Sequence, residues 1–234
     1  MKREIRITSD GSTTIHLPDW NENYHSKHGA IQEAYHVFIK SGLDKILETI
    51  SLKSESTLTH ISILEIGFGT GLNAFITFLE GIKHDIKIEY VGVEAYPVIA
   101  NEVQKLNYVS ELKAPAHQAI FDKMHAVTWA EKHLVSTDFK LTKRKQFFSE
   151  IEDENTFNLI YFDAFGAEHQ PELWTEAIFL KMFNALKSEG VLVTYCAKGS
   201  VRRAMQAVGF TVERLAGPPG KREMLRATKT VNIG

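Results

Sequence analysis

Residues 61–71, ISILEIGFGTG, constrain this chain more than any other stretch. The apolar, largely β-branched run of Ile61, Ile63, Leu64 and Ile66 predicts one buried strand, with the acid Glu65 inside it. Three glycines at alternate positions follow, Gly67, Gly69 and Gly71, and residues 72–79 (LNAFITFL) then read as a helix. A strand, a glycine turn and a helix start together make a pocket, because glycine lets the backbone bend freely and lets a ligand come close to it. The competing reading is a tight strand-to-helix turn with no ligand.

Spacing narrows the ligand. A dinucleotide loop, G-x-G-x-x-G, requires glycine where Leu72 stands, and a phosphate-cradling loop requires Gly-Lys-Ser/Thr where the chain has Gly71-Leu72-Asn73. The order E-x-G-x-G-x-G after a strand resembles motif I of class I S-adenosyl-L-methionine (SAM) methyltransferases. That resemblance places the turn under the methionine part of SAM and nominates Glu65, Gly67, Phe68, Gly69, Thr70, Gly71 and Asn73 as cofactor-binding. Two further strands agree. Residues 88–94 end in Glu94, an acid placed to accept both ribose hydroxyls of a nucleoside, unless it is a plain surface carboxylate at a strand end. Residues 157–163 end in Asp163.

At 234 residues the chain suits one α/β domain with additions, and 44% hydrophobic with 24% charged residues is ordinary for a globular protein. The single cysteine, Cys196, excludes an internal disulfide and a cysteine-based zinc site, and its place at an apolar strand end reads as a buried inert thiol. The N-terminus carries no apolar signal core and no run approaches a membrane span, so a cytoplasmic protein is expected. Net charge is −2, yet residues 198–229 hold eight Lys/Arg against two Glu. Such asymmetry suggests that one end meets an anionic partner; a solvated face with ordinary ion pairs is the alternative.

Residues 3–17 alternate around Asp10-Gly11 and predict a hairpin, and residues 18–23 a loop. A helical face of Ile31, Ala34, Tyr35, Phe38 and Ile39 continues through Leu43, Ile46, Leu47 and Ile50, and residues 51–60 read as a polar linker. His25, His28 and His36 lack metal-ligand spacing and read as surface or substrate-facing. Residues 1–60 thus form an N-terminal extension packed on a core domain of residues 61–234. Within the core, helices are expected over 96–106 and 115–129, then a strand plus an exposed basic turn over 134–148, with Lys140, Lys143, Arg144 and Lys145. A helix over 175–186, ending before 187–190, precedes a strand at 191–195. A helix over 200–208 stops at Gly209, and an antiparallel pair spans 210–215 and 223–228.

Four motifs carry a closer resemblance, covering residues 24–225. They are Tyr24-x-Ser26 with Glu33 and Val37-Phe38; Gly67 to Asn73; Asp163-Ala164-Phe165 with Pro171 and Trp174; and Val201-Arg202-Arg203 with Gly209-Phe210-Thr211-Val212, then Lys221-Arg222-Glu223-Met224-Leu225. In these the chain is similar to the methyltransferase part of the MnmC family, which acts on the tRNA wobble uridine. The resemblance implies a Rossmann-like α/β fold with a mostly parallel sheet. It also implies SAM as cofactor, the anticodon region of tRNA as partner, and methylation of 5-aminomethyl-2-thiouridine to its 5-methylaminomethyl form.

The same resemblance nominates Tyr24, Ser26, Glu33, Phe165 and Trp174 for the substrate, and Arg202, Arg203, Lys221 and Arg222 for tRNA phosphates. Phe165 and Trp174 either stack on a flipped base or belong to the core. Asp163 either orients and deprotonates the amine or only holds cofactor and loop. Where the fold often places an acid for the adenine, Gln146 stands. The bifunctional family version carries a flavin-dependent oxidase domain, and the 234 residues leave no room for it; a stand-alone methyltransferase fed by a separate oxidase is therefore expected. Residues 166–170 depart from the family loop. Two other readings compete: a SAM-dependent enzyme acting on a small amine or polyamine, and a non-catalytic RNA-binding protein with a SAM fold.

Overall fold

The apolar runs become the centre of an eight-stranded sheet. The computed structural model describes residues 2–52 and 60–230. The chain opens with a hairpin of β1 (Glu4–Ile7) and β2 (Thr13–Leu17), to which the two-residue β3 (Glu22–Asn23) adds an edge. A long helical stretch follows: α1 (Ala30–Ala34), a π-helix over Tyr35–Leu43, and α2 (Asp44–Leu52). The wider π turn is invisible to a 3.6-residue spacing. Of the linker expected over 51–60, residues 53–59 lie outside the described residues; Ser51 and Leu52 end α2, and His60 starts β4.

The core runs β4 (His60–Ile66), α3 (Leu72–Lys83), β5 (Lys87–Val93), α4 (Ala100–Val103), α5 (Tyr108–Glu111), α6 (Gln118–Ala126), β6 (Lys132–Ser136), β7 (Phe139–Arg144), β8 (Phe157–Phe162), α7 (Glu176–Ala185), β9 (Leu186–Thr194), α8 (Gly199–Ala207), β10 (Thr211–Ala216) and β11 (Glu223–Thr228). The sheet order is β10-β11-β9-β8-β4-β5-β7-β6. The five inner strands β7, β5, β4, β8 and β9 are parallel, and β6, β10 and β11 join antiparallel. Parallel strands need cover on both faces, which is why β4 and β8 are apolar nearly throughout. Ile61 and Ile63 pack on one face with Phe38, Leu43, Phe75 and Phe121. Leu64 and Ile66 pack on the other with Trp174, Phe179, Met182 and Met205. The helical stretch over residues 30–46 thus shares a core with the sheet.

Chain order reverses between β4 and β8, so their carboxyl ends flank the crevice where open α/β sheets bind ligands. By the two-residue period of a strand, Glu65 on β4 and Asp163 just past β8 share one face.

Four sequence expectations give way. The helix over 96–106 shrinks to α4, because the Arg3 guanidinium holds the Tyr96 and Pro97 carbonyls and Glu102 caps the Ile99 N–H. The helix over 115–129 is a 3₁₀ turn plus α6, and Trp129 bridges to Lys143 instead. The strand with a basic turn is the β6–β7 hairpin; its turn is Thr137-Asp138, and Lys143 is 2% exposed on β7. Residues 187–190 belong to β9, where Lys229 pairs with Glu189 and Gly190 through the backbone. Cys196 is a buried free thiol whose pKa burial raises. Among the described residues no helix is long and apolar enough to cross a membrane.

Candidate functional site

The glycine turn is stretched between two neighbouring strands. The N–H groups of Gly67 and Phe68 both donate to the Val93 carbonyl of β5 at 3.0 Å, while the Asp163 N–H donates to the Ile66 carbonyl at 2.9 Å. Gly67, Gly69 and Gly71 have φ of 89°, 47° and 72°. At Gly67 the requirement is also steric: a Cβ there would stand 2.6 Å from the Asp163 carbonyl oxygen. The turn therefore passes flush against the end of β8 and delivers the chain into α3.

On that helix, Asn73 joins the two acids of the crevice. Its Nδ2 donates to Glu65 Oε1 and to Asp163 Oδ2, each at 2.9 Å. Burial pushes Glu65 well above the usual carboxylate range. Burial, reinforced by the Glu33 carboxylate, pushes Asp163 up to about 7 against the opposing Asn73 bond and the Lys221 ammonium. The Tyr90 hydroxyl faces Glu65 from β5 without closing a hydrogen bond on it. Asn73 Oδ1 is a buried acceptor with no donor among the described residues. Beyond β5, the half-buried Glu94 accepts the N–H of Gly69 at 3.0 Å and that of Tyr96 at 2.9 Å, one on each oxygen. Each oxygen keeps lone-pair capacity for a further donor.

The other wall comes from distant segments. The Tyr24 ring lies against Gly69 and meets Phe165 edge-on at 5.1 Å; Phe165 also meets Trp20 at 5.6 Å. Glu33 accepts the Ser26 N–H at 2.8 Å and the Lys221 ammonium at 2.7 Å. That ammonium lies 3.7 Å from the Tyr195 ring centroid, and the Tyr195 hydroxyl donates to the Ala164 carbonyl at 2.7 Å.

The structure brings Glu65, Gly67, Gly69, Gly71, Asn73, Glu94, Asp163, Tyr24 and Phe165 around one crevice and reassigns others. The Phe68 ring packs over Gly92 and is 4% exposed, so it supports the turn from beneath. Thr70 is fully buried, its hydroxyl bonded to His25 Nε2 at 2.7 Å and to the Tyr108 hydroxyl at 3.1 Å. His25 is thus a half-buried strut, and burial lowers its pKa to about 4. Trp174 is core: it is 5% exposed, packs on Phe162, and donates Nε1–H to the Phe165 carbonyl. Ser26 turns its hydroxyl to the His28 N–H. Lys221 is held by Glu33 rather than offered to a phosphate.

Arg203 and Arg222 are exposed without a side-chain partner among the described residues, and Arg202 is partly buried with its Nε unpaired. Gln146, just past β7, makes no side-chain hydrogen bond among the described residues; beside it Phe147 meets Tyr96 edge-on at 6.3 Å, both rings largely exposed. Sequence reading missed this pair and Tyr195, because a lone aromatic past a strand has no spacing signature. Among the described residues no His/Cys/Asp/Glu group suits a metal.

A family model for S-adenosyl-L-methionine-dependent methyltransferases matches residues 109–230. Among curated relatives, the tRNA 5-methylaminomethyl-2-thiouridine biosynthesis bifunctional protein MnmC of Hydrogenovibrio crunogenus is 27% identical, over 95% of this chain and 33% of its own length. Its namesake in Leptospira borgpetersenii is 28% identical, over 88% and 32%. The chain thus spans about a third of the length of these relatives. Among solved structures, MNMC2 from Aquifex aeolicus superposes with a TM-score of 0.73 at 23% identity, covering 99% of this chain and 72% of that one. Spermidine synthase from Thermotoga maritima superposes at 0.50 with 14% identity, over 99% and 73%. These two likenesses establish the fold alone.

Proposed function

The chain belongs to the S-adenosyl-L-methionine-dependent methyltransferase family, and from that premise we propose that it methylates the 5-aminomethyl group of a tRNA wobble uridine, as the names of its MnmC relatives suggest. The observation that carries this reading is Asp163: a carboxyl held at about 7, bonded to Asn73, at the crevice beside the glycine turn.

The residues present fit the cofactor. The unpartnered Asn73 Oδ1 beside the turn suits its ammonium, the remaining lone pairs of Glu94 suit its ribose hydroxyls, and Tyr96 and Phe147 offer faces to its adenine, with Gln146 alongside. When bound, SAM supplies an electrophilic methyl group on a sulfonium.

The chain's own task is to present a neutral amine. A primary alkylamine has a pKa near that of lysine, about 10, and arrives as an ammonium. Asp163 orients that ammonium and takes one proton, freeing the amine lone pair to accept the methyl group that SAM would supply. The product leaves as a secondary ammonium. A carboxyl near 7 suits the role, because it is ionised often enough to accept the proton and is a better base toward the ammonium than an ordinary carboxylate. Phe165 and Tyr24 form the wall against which the base rests. Arg202, Arg203 and Arg222 meet phosphates.

The test is transfer of labelled methyl from SAM to tRNA whose wobble uridine stops at the aminomethyl stage, with fully methylated tRNA and spermidine as controls. Label confined to the undermodified tRNA supports the reading. Turnover with spermidine and none with tRNA overturns it in favour of a small-amine enzyme.

A further inference from the structure

Two charged side chains from opposite ends of the chain pair beside the segment that follows Asp163. Glu33, on α1, is 6% exposed. Lys221, in the β10–β11 loop, reaches it across 188 residues. The loop is seated on the N-terminal segment, with His36 Nε2 at 2.7 Å from the Ala216 carbonyl and Gly220 against the His28 ring. An ion pair with one partner this buried gains little net stability, since desolvation offsets its attraction. Its placement suggests a different use. The Lys221 ammonium caps the face of Tyr195, whose hydroxyl fixes the Ala164 carbonyl directly after Asp163.

We propose that Glu33 and Lys221 are positioning residues that set the charge of Asp163 and hold the Ala164-Phe165 strap over the crevice. The proposal deepens the reading that Asp163 faces the acceptor amine. Asn73 from α3 contacts the Asp163 carboxyl directly, and the charges that act on it come from Glu65 on β4, Tyr90 on β5, Tyr195 beyond β9, Glu33 on α1 and Lys221 in the β10–β11 loop. Of these, Glu33 raises the Asp163 pKa and Lys221 lowers it. Without Lys221, two adjacent carboxylates would grip an incoming ammonium and keep it charged. With Glu33 neutralised by Lys221, Asp163 meets the amine alone and can take its proton.

The test follows the Asp163 carboxyl carbon by NMR across pH in the full chain, assigned with Asp163→Asn. Lys221→Met should raise the midpoint by about one pH unit and Glu33→Gln lower it by about as much. Lys221→Arg should keep the wild-type midpoint. A purely structural ion pair predicts that both neutral variants shift the same way, since each breaks the same bond. Shifts of one sign, no shift, or Lys221→Arg behaving like Lys221→Met overturns the proposal. Methyl transfer at pH 6 separates it from the underlying reading. About tenfold slower transfer in Lys221→Met, with SAM affinity kept, supports both. Opposite NMR shifts with unchanged transfer leave the charge-setting role standing and remove Asp163 from the acceptor site.

Discussion

The two walls of the crevice are built in different ways. The cofactor wall comes mainly from residues 65–96: the glycine turn, Asn73 one residue into α3, Glu94 just past β5 and Tyr96, with Gly69 and Glu94 joined across 25 residues and Gln146 and Phe147 added from beyond β7. The acceptor wall gathers Tyr24, Glu33, Phe165, Tyr195 and Lys221 from four separate segments. Asp163 and Asn73 are the seam between them. A wall made by one local turn is fixed by backbone geometry. A wall assembled over long separations is fixed by side-chain pairing, and its loop-closure entropy must be met by packing and charge.

Asp163→Asn should separate the walls most sharply. Transfer should fall about 10²–10⁴-fold, the usual worth of a positioned acid–base group, while SAM affinity stays within a few-fold. An equal loss of SAM affinity would place Asp163 on the cofactor wall instead. Stability should move oppositely to activity. The folded protein holds the Asp163 proton up to about 7 against an ordinary value of 3.8. It therefore binds more protons than the unfolded chain across that window, and this contribution fades as pH rises through 7. Thermal melts should show Asp163→Asn gaining on the wild type from pH 4 to pH 7 and holding its advantage at pH 8.

Gly67→Ala comes next and should damage both walls at once. An L-residue at φ 89° is strained, by about 1–2 kcal/mol, and its Cβ would push on the Asp163 carbonyl at 2.6 Å. A stability loss of about 3 kcal/mol by denaturant titration, with SAM binding lost, is expected. Intact SAM binding would mean that the turn yields more easily than its hydrogen bonds to Val93 imply.

The contrast between the walls also explains what the sequence could disclose. The strand–turn–helix unit, the acids past β5 and β8, and the sheet class were all legible, because apolar runs and glycine spacing act locally. Trp174 and Lys221 were not. A tryptophan past a strand looks the same whether it stacks on a base or fills the core, and only its contact with Phe162 and the Phe165 carbonyl decides. Lys221 beside Arg222 reads as a basic pair, and nothing near it points to Glu33, so distant in sequence. Lys143 likewise looked like part of an exposed turn until β7 placed it inward, with its ammonium on the His125 carbonyl and 4.9 Å from the Trp129 ring centroid.

Asn73→Ala tests the seam with a smaller effect. It removes the donor shared by Glu65 and Asp163, which should cost about 1–3 kcal/mol of stability. It should also raise the Asp163 midpoint, because that hydrogen bond favours the charged form. A lowered midpoint would mean that water replaces the amide more effectively than the amide serves now.

The smallest expected effect lies at the rim. Of the eight basic residues in 198–229, four are engaged by acids: Lys198 by Glu168, Arg214 by Glu223, Lys221 by Glu33 and Arg226 by Glu213. Lys229 is turned onto the Leu186 carbonyl and Asn155. Arg202, Arg203 and Arg222 remain. A phosphate contact releases about 0.7–0.9 counterion, so Arg222→Ala should flatten the slope of log affinity for tRNA against log salt by about that amount. Lys221→Met, one residue away, should leave the slope unchanged, because Glu33 already neutralises that ammonium. Adjacent residues of like charge with different salt dependence would place Lys221 inside the acceptor wall and Arg222 outside it. Equal flattening would return Lys221 to the phosphates and dissolve the distinction between wall and rim.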